Sequence, residues 1–250
     1  MHHEGVEIKC INRKKYLTIH RYLFFWQVFI IECKVIFEAS FLGVVPLLSF
    51  IVLTYFVMTE TTLRIDEEII TYVRTLKHPI VTKGMKALSF VGNTWPVIII
   101  SILLLSLIYK LYRKRDEVIL FIIVSLGSTG INQLYKYSFK RERPLFEPLV
   151  MESGYSYPSG HSMAALTLYG IVTFLFWRHI KSALGRTLLV IFSTVMILAI
   201  GTSRVYLRVH FPSDVLGAYL LSGFWLFLTI WVYQYIKERQ HNRKIKRDFA

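Results

Sequence analysis

Cysteine and charge are both scarce in this sequence of 250 residues. The two cysteines, Cys10 and Cys33, lie near the N-terminus, so the chain has neither a disulfide framework nor a cysteine-rich metal signature. Charged residues make up 18% of the chain, whereas 54% of it is hydrophobic and the mean hydropathy is +0.46. Soluble domains usually carry more charge, spread over their helix faces. The composition therefore argues against an ordinary soluble domain and favours a polytopic membrane protein.

Acidic residues are few as well, with 16 Asp and Glu against 30 Lys and Arg and a formal net charge of +14. Such a surplus can indicate nucleic-acid binding. Here, however, the basic residues flank apolar segments, as juxtamembrane anchors facing anionic lipid do. We therefore expect the lipid bilayer, and no nucleic acid, to be the partner of these charges.

Six apolar segments each approach the ~20 residues that a helix needs to cross a bilayer. No repeat of fixed period and no Pro/Ser/Gly-rich linker divides them. The sequence thus predicts an all-α polytopic membrane protein, a six-transmembrane-helix bundle in one domain over residues 38–236, followed by a basic cytoplasmic tail over 237–250. The predicted spans are 40–58, 95–111, 118–135, 162–177, 187–203 and 215–235.

Basic residues beside the spans predict their orientation, because short cytoplasmic loops collect Lys and Arg. Basic clusters follow the second span, join the fourth to the fifth and form the C-terminal tail. With six spans, all of them lie on one side together with the basic N-terminal stretch. Both termini then face the cytoplasm, and the loops at 59–94, 136–161 and 203–214 face outward.

The N-terminal segment 17–37 offers an alternative, since a seventh span would reverse this orientation. Its uninterrupted apolar stretch between Arg21 and Glu32 has about ten residues, which is short for a span and more typical of an interfacial helix. We interpret residues 1–37 as an N-terminal extension that is interfacial or non-essential.

The outward loop 59–94 has the pattern of two short helices. Asp66 is placed to cap the first helix, and Pro79 can open the second before Gly92-Asn93 ends it. These helices either lie on the membrane surface beside a substrate entrance or form a packed loop without a role in substrate entry.

Three polar clusters lie in the outward loops, over residues 136–144, 157–161 and 203–214. Their Lys136, Arg143 and Arg204 supply donors for a multiply charged anion such as phosphate, and a guanidinium can bind two oxygens at once. Ser159 and Gly160 precede a predicted span, where the free N–H groups of a helix N-terminus favour an oxyanion and Gly160 permits close approach. The clusters therefore predict a phosphate site.

Two histidines accompany these donors. His210 and Asp214 are four residues apart and share a helix face if the last helix begins by His210, whereas a turn around Pro212 would require another geometry for the same contact. The carboxylate can hold one ring N–H and leave the other nitrogen as a nucleophile. His161 is then free to act as a general acid.

Each residue also has a purely structural interpretation. A lone Arg or Lys at the end of a span is usually a snorkelling anchor, and Asp214 alone could cap the last helix. Lys140, Arg141 and Arg208 are assigned to this anchor class. The other residues are separated from it by their joint occurrence in a fixed order and spacing.

The order is Lys136, six residues, Arg143-Pro144; then Pro158-Ser159-Gly160-His161; then Ser203-Arg204, five residues, His210, three residues, Asp214. It resembles the three-part signature of the type 2 phosphatidic acid phosphatase superfamily, and every motif position is matched. The resemblance covers residues 40 to 235, is strongest to bacterial members acting on phosphatidylglycerophosphate, and does not extend to residues 1–37.

The resemblance implies a metal-independent, cofactor-free hydrolysis in two steps at the bacterial plasma membrane. His210 would attack phosphorus and become a phosphohistidine, Asp214 would orient it, and His161 would protonate the departing lipid oxygen. The implied substrates are membrane lipids such as phosphatidylglycerophosphate, phosphatidic acid and undecaprenyl pyrophosphate. The residues implied to hold the phosphoryl oxygens are Lys136, Arg143, Ser159, Gly160 and Arg204.

Other functions could use the same residues. His161, His210 and Asp214 could form a metal site with two histidines and one carboxylate, although the three nearby cations would repel a dication. A non-catalytic binder or transporter of anionic lipid head groups is a second alternative, although transporters usually place polar sites near mid-membrane. A relative of the soluble vanadium haloperoxidases is disfavoured because this chain is embedded. The motifs do not report the oligomeric state.

Overall fold

The computed structural model describes residues 43–248, and within this range every regular element is an α-helix. This confirms the predicted all-α class. The predicted extension 1–37, with Cys10 and Cys33, lies outside the described residues. The helices in chain order are α1 (Gly43–Met58), α2 (Leu63–Thr75), α3 (Pro79–Val91), α4 (Thr94–Tyr112), α5 (Arg115–Phe139), α6 (Gly160–Trp177), α7 (Ala183–Tyr206) and α8 (Pro212–Asp248).

The two short helices predicted within residues 59–94 are α2 and α3. Pro79 begins α3 as predicted, and His78 caps this helix because its Nδ1 accepts the N–H of Ile80 at 3.3 Å. The predicted cap of α2 is wrong, because Thr62 stands at the N-cap and Asp66 lies inside the first turn. The carboxylate of Asp66 binds residues far away in sequence instead.

Helix α6 lies at the centre of the bundle and packs against α4, α5, α7 and α8. Glycines bring the helices close together, since a Cβ at Gly127 would lie 2.2 Å from the ring of Trp225 and a Cβ at Gly170 would lie 2.4 Å from Leu226. One apolar cluster joins α4, α5 and α6. It consists of Ile108, Leu120, Phe121, Val124, Leu168, Ile171 and Leu175.

Polar side chains between these helices are paired with one another. The hydroxyls of Ser128 on α5 and Thr167 on α6 lie 2.8 Å apart, and Trp225 Nε1 on α8 donates to the carbonyl oxygen of Val124 at 3.0 Å. In a lipid-surrounded bundle an unpaired polar group is costly, so these bonds favour one relative position of the helices.

The outer faces of the helices carry exposed apolar side chains, such as Leu103, Leu126, Leu188 and Phe192. Helices α5, α6, α7 and α8 are each long and apolar enough to cross a membrane. The number rises to six if α1 with α2, bent by 87°, and α3 with α4, bent by 55°, each form one span. The described residues thus contain four to six candidate spans.

Helix α8 continues through most of the segment predicted as a separate basic tail, since it ends at Asp248. Near the start of that segment, Lys237 Nζ lies 2.5 Å from the carboxylate of Asp116 on α5. The hydroxyl of Tyr233 donates to the same carboxylate at 2.8 Å. These contacts attach the distal part of α8 to the beginning of α5.

Candidate active site

The three predicted motifs meet at one end of the bundle. They lie at the C-terminal end of α5, the N-terminal end of α6, the C-terminal end of α7 and the N-terminal end of α8. Asn132 Nδ2 on α5 donates to the carbonyl of Pro158 at 3.1 Å, and the N–H of Ser159 donates to the carbonyl of Asp214 at 3.1 Å. These bonds join the starts of α6 and α8 to the end of α5.

His210 and Asp214 form a buried pair at the start of α8. The ring Nδ1 of His210 lies 3.3 Å from Asp214 Oδ2, which also accepts the N–H of Phe211 at 2.8 Å. The hydroxyl of Ser156 donates to the same carboxylate oxygen. Because α8 begins at Pro212, the pair is not held on one helix face, and the turn around Pro212 provides the contact instead.

The His210 ring is neutral at physiological pH. Burial lowers its pKa to about 4, although the hydrogen bond and the negative charge of Asp214 act in the opposite direction. Its Nε2 lies 3.3 Å from Arg143 Nη1. A guanidinium only donates hydrogen bonds, so Nε2 presents its lone pair there while Nδ1 donates to Asp214. This is the tautomer that a histidine nucleophile requires.

Arg143 is fixed by the backbone around it. Its Nε donates to the carbonyl of Gly154 at 2.9 Å, Nη1 to that of Val209 at 2.7 Å, and Nη2 to that of Ser153 at 3.0 Å. Partial burial lowers its pKa, but a guanidinium stays charged. The cation is therefore held beside His210, and it also forms a long ion pair with Glu152 Oε2 at 4.0 Å.

Arg204 is completely buried in the last turn of α7 and reaches two side chains. Its Nη2 donates to Glu152 Oε1 at 2.5 Å, and its Nη1 donates to the hydroxyl of Ser89 on α3. Glu152 Oε1 is also 4.0 Å from Nε2 of His161. A carboxylate thus lies among the groups predicted to bind phosphate, and in this structure it is paired with Arg204.

His161 lies in the first turn of α6, with its ring directed at the junction between α3 and α4. Its Nε2 is 2.6 Å from Oδ1 of Asn93, the residue that precedes α4. As the amide is oriented, Nε2 carries the proton and donates it to Asn93. Another oxygen can accept a hydrogen bond from this nitrogen only if it displaces the amide.

The remaining predicted ligands lie where α5 meets α6. Lys136 Nζ donates to the carbonyl of Tyr155. Ser159 is buried at the N-cap of α6, and its Oγ accepts a hydrogen bond from Ser162 at 3.0 Å. A Cβ at Gly160 would lie 3.2 Å from Asn132 Oδ1, so the glycine permits the close contact between α6 and α5.

The anchor interpretation is wrong for two of the three residues to which it was given. Arg141 is 10% exposed and binds Asp214 Oδ1 at 2.6 Å and Asp66 Oδ2 at 2.9 Å. Arg208 is buried and donates to the carbonyl of Glu147 at 3.1 Å. Lys140 is exposed, as an anchor should be.

Sequence reasoning missed Asn93, Ser156 and Glu152, which contact predicted site residues, and Asp66, which reaches Asp214 through Arg141. Ser156 and Glu152 lie in the irregular loop over residues 140–159, which has no periodic pattern to place them. Asp66 gave a signal, because it is an acidic residue among apolar positions of α2. From the local pattern alone, the same residue predicts a helix cap.

No group of three His, Cys, Asp or Glu side chains is arranged to hold a metal ion among the residues that the structure describes. The two histidines and Asp214 are engaged separately, His161 with Asn93 and His210 with Asp214. Independence from metal stays a prediction for experiment.

The chain matches known proteins over its described helices. Residues 117–238, which include all three motifs, match the model of the PAP2 superfamily. The chain is 30% identical over 183 residues to phosphatidylglycerophosphatase B of Bacillus subtilis (strain 168), covering 73% of this chain and 90% of that protein. It is 36% identical over 132 residues to undecaprenyl-diphosphatase of Sulfolobus acidocaldarius, covering 50% of this chain and 59% of that protein.

A solved structure has the same fold. The crystal structure of a transmembrane PAP2-type phosphatidylglycerolphosphate phosphatase from Bacillus subtilis superposes with a TM-score of 0.74 at 27% identity. The match covers 78% of this chain and 98% of that one. Together with the long apolar helices, this similarity indicates an integral membrane protein. The family match, the sequence relative and the shared fold agree with the resemblance predicted from the three motifs, and the chain belongs to the PAP2 superfamily.

Proposed function

We propose that this protein is a membrane lipid phosphatase that acts through a phosphohistidine on His210. The observation that carries the proposal is the state of this ring, which is neutral, bound through Nδ1 to Asp214, and directed through Nε2 at Arg143. Relatives named phosphatidylglycerophosphatase B and undecaprenyl-diphosphatase support the class of reaction.

In the first step, the Nε2 lone pair of His210 attacks phosphorus and forms the N–P bond. The bond between phosphorus and the lipid oxygen breaks, and that oxygen takes the Nε2 proton of His161, whose ring carries a second proton on Nδ1 while the anionic substrate is bound beside it. Asp214 stabilises the positive charge that develops on the His210 ring. Division into two displacements replaces one difficult step with two easier ones.

In the second step, water attacks the phosphohistidine. His161, now lacking its Nε2 proton, takes a proton from that water as the new P–O bond forms. The N–P bond breaks, its electron pair returns to Nε2 of His210, and inorganic phosphate leaves. Both histidines then have their starting protonation states.

Phosphoryl oxygens would be held by the cations and the α6 N-terminus. Arg143 lies next to the nucleophile, and Arg204 already binds a carboxylate in the free protein. The backbone N–H of Gly160, the hydroxyl of Ser159 and the ammonium of Lys136 complete the proposed set. These donors stabilise most strongly the charge of the trigonal-bipyramidal transition state.

The proposed arrangement in the membrane has six spans, formed by α1, α4, α5, α6, α7 and α8, with α2 and α3 in the outward loop between the first two. The site would lie at the external ends of the helices, both termini in the cytoplasm, and the location would be a bacterial plasma membrane. The basic clusters that support this orientation lie between α4 and α5, between α6 and α7, and at the end of α8.

The proposed substrates are lipids with a terminal phosphate or diphosphate, including phosphatidylglycerophosphate, phosphatidic acid and undecaprenyl pyrophosphate. The anionic phosphate of the head group can bind the cations of the site, and the acyl or isoprenoid chain can pack on the exposed apolar helix faces. No metal or cofactor enters the proposed reaction.

The test is phosphate release by the purified chain in detergent with excess EDTA, from each of the three lipids, beside the His210→Ala and His241→Ala proteins. His241 is exposed near the end of α8 and provides the matched control. We expect release by wild type and His241→Ala to survive EDTA, and release by His210→Ala to be lost. Labelled phosphate from the substrate should appear on wild-type protein in an alkali-stable, acid-labile form.

Abolition by EDTA with recovery on adding metal would overturn the metal-independent reaction. Full turnover by His210→Ala would reject the nucleophile. Tight binding of the lipids without release from any of them would favour a binder of anionic head groups.

A further inference from the structure

A buried row of alternating charges leads from α2 to Asp214. Asp66 Oδ2 accepts from Arg141 Nη2 at 2.9 Å, and Arg141 Nη1 donates to Asp214 Oδ1 at 2.6 Å. Asp66 is 2% exposed and Asp214 is fully buried. The other oxygen of Asp214 is the one next to His210, so the row continues into the proposed nucleophile.

Ser213 binds Asp66 through both its backbone N–H and its side-chain hydroxyl. Its N–H donates to Asp66 Oδ1 at 3.0 Å and its hydroxyl to Asp66 Oδ2 at 2.5 Å. Arg141 Nη1 also lies 2.7 Å from that hydroxyl, and its guanidinium stacks 4.3 Å from the ring centre of Phe211. Asp66 therefore binds both the guanidinium and the residue that precedes Asp214.

Without a second carboxylate beside it, the positive charge of Arg141 would reduce the effect of the negative charge of Asp214 on His210. A guanidinium 2.6 Å from Asp214 compensates the negative charge that should stabilise the His210 ring as it becomes cationic. Asp66 is bound to the other guanidinium nitrogen and offsets that cation. Burial makes the balance matter, since charges out of water are weakly screened.

We propose that Asp66 and Arg141 are positioning residues, with Arg141 fixing the carboxylate of Asp214 and Asp66 preserving that carboxylate's negative charge toward His210. This inference rests on the proposed function, in which His210 is the nucleophile. Neither residue touches the phosphoryl group, and both act through Asp214.

Other charged or titratable groups also act on His210 and must stay unchanged in the test. They are Asp214 on α8, Arg143 in the loop between α5 and α6, Arg204 on α7 and His161 on α6. A purely structural role for the Asp66–Arg141 pair would be to attach α2 to the start of α8. Loss of such an attachment loosens the fold, but it does not shift the titration of His210 in opposite directions for the two residues.

The experiment measures the ring titration of His210 by NMR in the full chain, labelled with 15N-histidine in detergent between pH 3 and 8, a range that includes its pKa of about 4. The signal is assigned by its absence in His210→Gln. The variants are Arg141→Gln, Asp66→Asn and the double variant with both changes. Glu68→Gln is the matched control, because Glu68 is an exposed acid on α2 that pairs with Arg64.

We expect Arg141→Gln to raise the pKa of His210 by roughly half a unit to one unit, because a nearby cation is removed. Asp66→Asn should lower it, so that a smaller fraction of the ring is protonated at pH 4 than in the wild type. The double variant should return it close to wild type, and Glu68→Gln should not move it. For phosphate release, Asp66→Asn should reduce kcat by about three- to tenfold and leave KM unchanged. This factor is the free energy of a pKa shift of about half a unit to one unit, expressed as a change in rate.

Shifts in the same direction for both single variants, or no shift in Arg141→Gln, would overturn the inference. If Asp66→Asn does not fold, judged by its melting transition, the comparison of Arg141→Gln with the double variant decides. A double variant that titrates like Arg141→Gln would show that Asp66 does not act on His210. Absence of phosphate release by the wild type would reject the proposed function instead, while the titrations would still report on the charge row.

Discussion

Arg143 uses all three guanidinium nitrogens on backbone carbonyls, those of Gly154, Val209 and Ser153. The planar fork is thereby fixed before any ligand arrives, and the same cation lies beside Nε2 of His210. A pre-positioned cation requires no reorganisation when charge develops on the phosphoryl oxygens.

Arg143→Lys tests this positioning, because lysine keeps the charge but cannot reach three carbonyls and an anion from one plane. We expect kcat/KM for phosphate release to fall by about thirtyfold, corresponding to about 2 kcal/mol for a lost charge-assisted contact. Arg64→Lys on the exposed face of α2 should retain wild-type kinetics. Equal kinetics for Arg143→Lys and the wild type would reduce Arg143 to a local structural residue.

The sequence separates Arg143 from Arg141 by motif spacing alone, and it predicts that Arg141 is a snorkelling anchor at the end of a span. The structure buries Arg141 because an acid on α2, 75 residues away in sequence, lies opposite it. Burial of a long cation depends on whether a carboxylate is brought to it through space. That information is absent from the neighbouring residues.

At the scale of elements, the first turns of α8 pack closely on the loop that precedes α6. A Cβ at Gly217 would lie 2.7 Å from Cε2 of the Tyr157 ring. This ring has little room to move, because its hydroxyl lies 2.8 Å from that of Thr54 on α1 and it stacks on Phe50. Burial raises the pKa of Tyr157, so the hydroxyl stays neutral in this contact.

Gly217→Ala should therefore destabilise the protein by about 1–3 kcal/mol through overpacking. Gly223→Ala on the same helix is the matched control, because a Cβ there meets no atom within 4 Å. Its higher helix propensity should leave stability unchanged or raised by up to about 1 kcal/mol. Thermal unfolding in detergent measures both, and a Gly217→Ala protein as stable as Gly223→Ala would contradict the close packing.

Helix positions were well predicted where long apolar segments fixed them, as for α5, α6 and α7. These segments are apolar because their side chains contact either lipid or the protein core. Their composition alone therefore predicts where the three helices lie in the sequence. The contacts of α2 were not predicted. The local sequence predicts that Asp66 caps its own helix. In the structure, its carboxylate accepts hydrogen bonds from Ser213 and Arg141 instead.

At the scale of the whole molecule, four helix ends and two loops converge to form one site. The orientation proposed for this site can be tested by cysteine labelling. The two native cysteines, at positions 10 and 33, are first replaced by Ser. Single cysteines are then introduced as Leu145→Cys, in the exposed loop before α6, and Lys181→Cys, in the exposed loop after it.

A membrane-impermeant maleimide should label Leu145→Cys in intact cells. It should label Lys181→Cys only after the cells are permeabilised. The physical reason is that the two loops lie at opposite ends of α6. Phosphate release confirms that each variant is folded. The reverse labelling pattern would invert the proposed topology, and labelling of both in intact cells would contradict a spanning α6.

The sequence by itself determined the helical membrane class, the family and the residue types of the proposed site. These follow from the composition, from apolar segments long enough to cross a bilayer, and from three motifs that are defined by their residue types and their spacing along the chain. The tertiary structure decided which charges are partners. It brought Asp66 to Arg141, Glu152 to Arg204 and Asn93 to His161, because such pairs depend on helix packing and loop paths that no local pattern encodes.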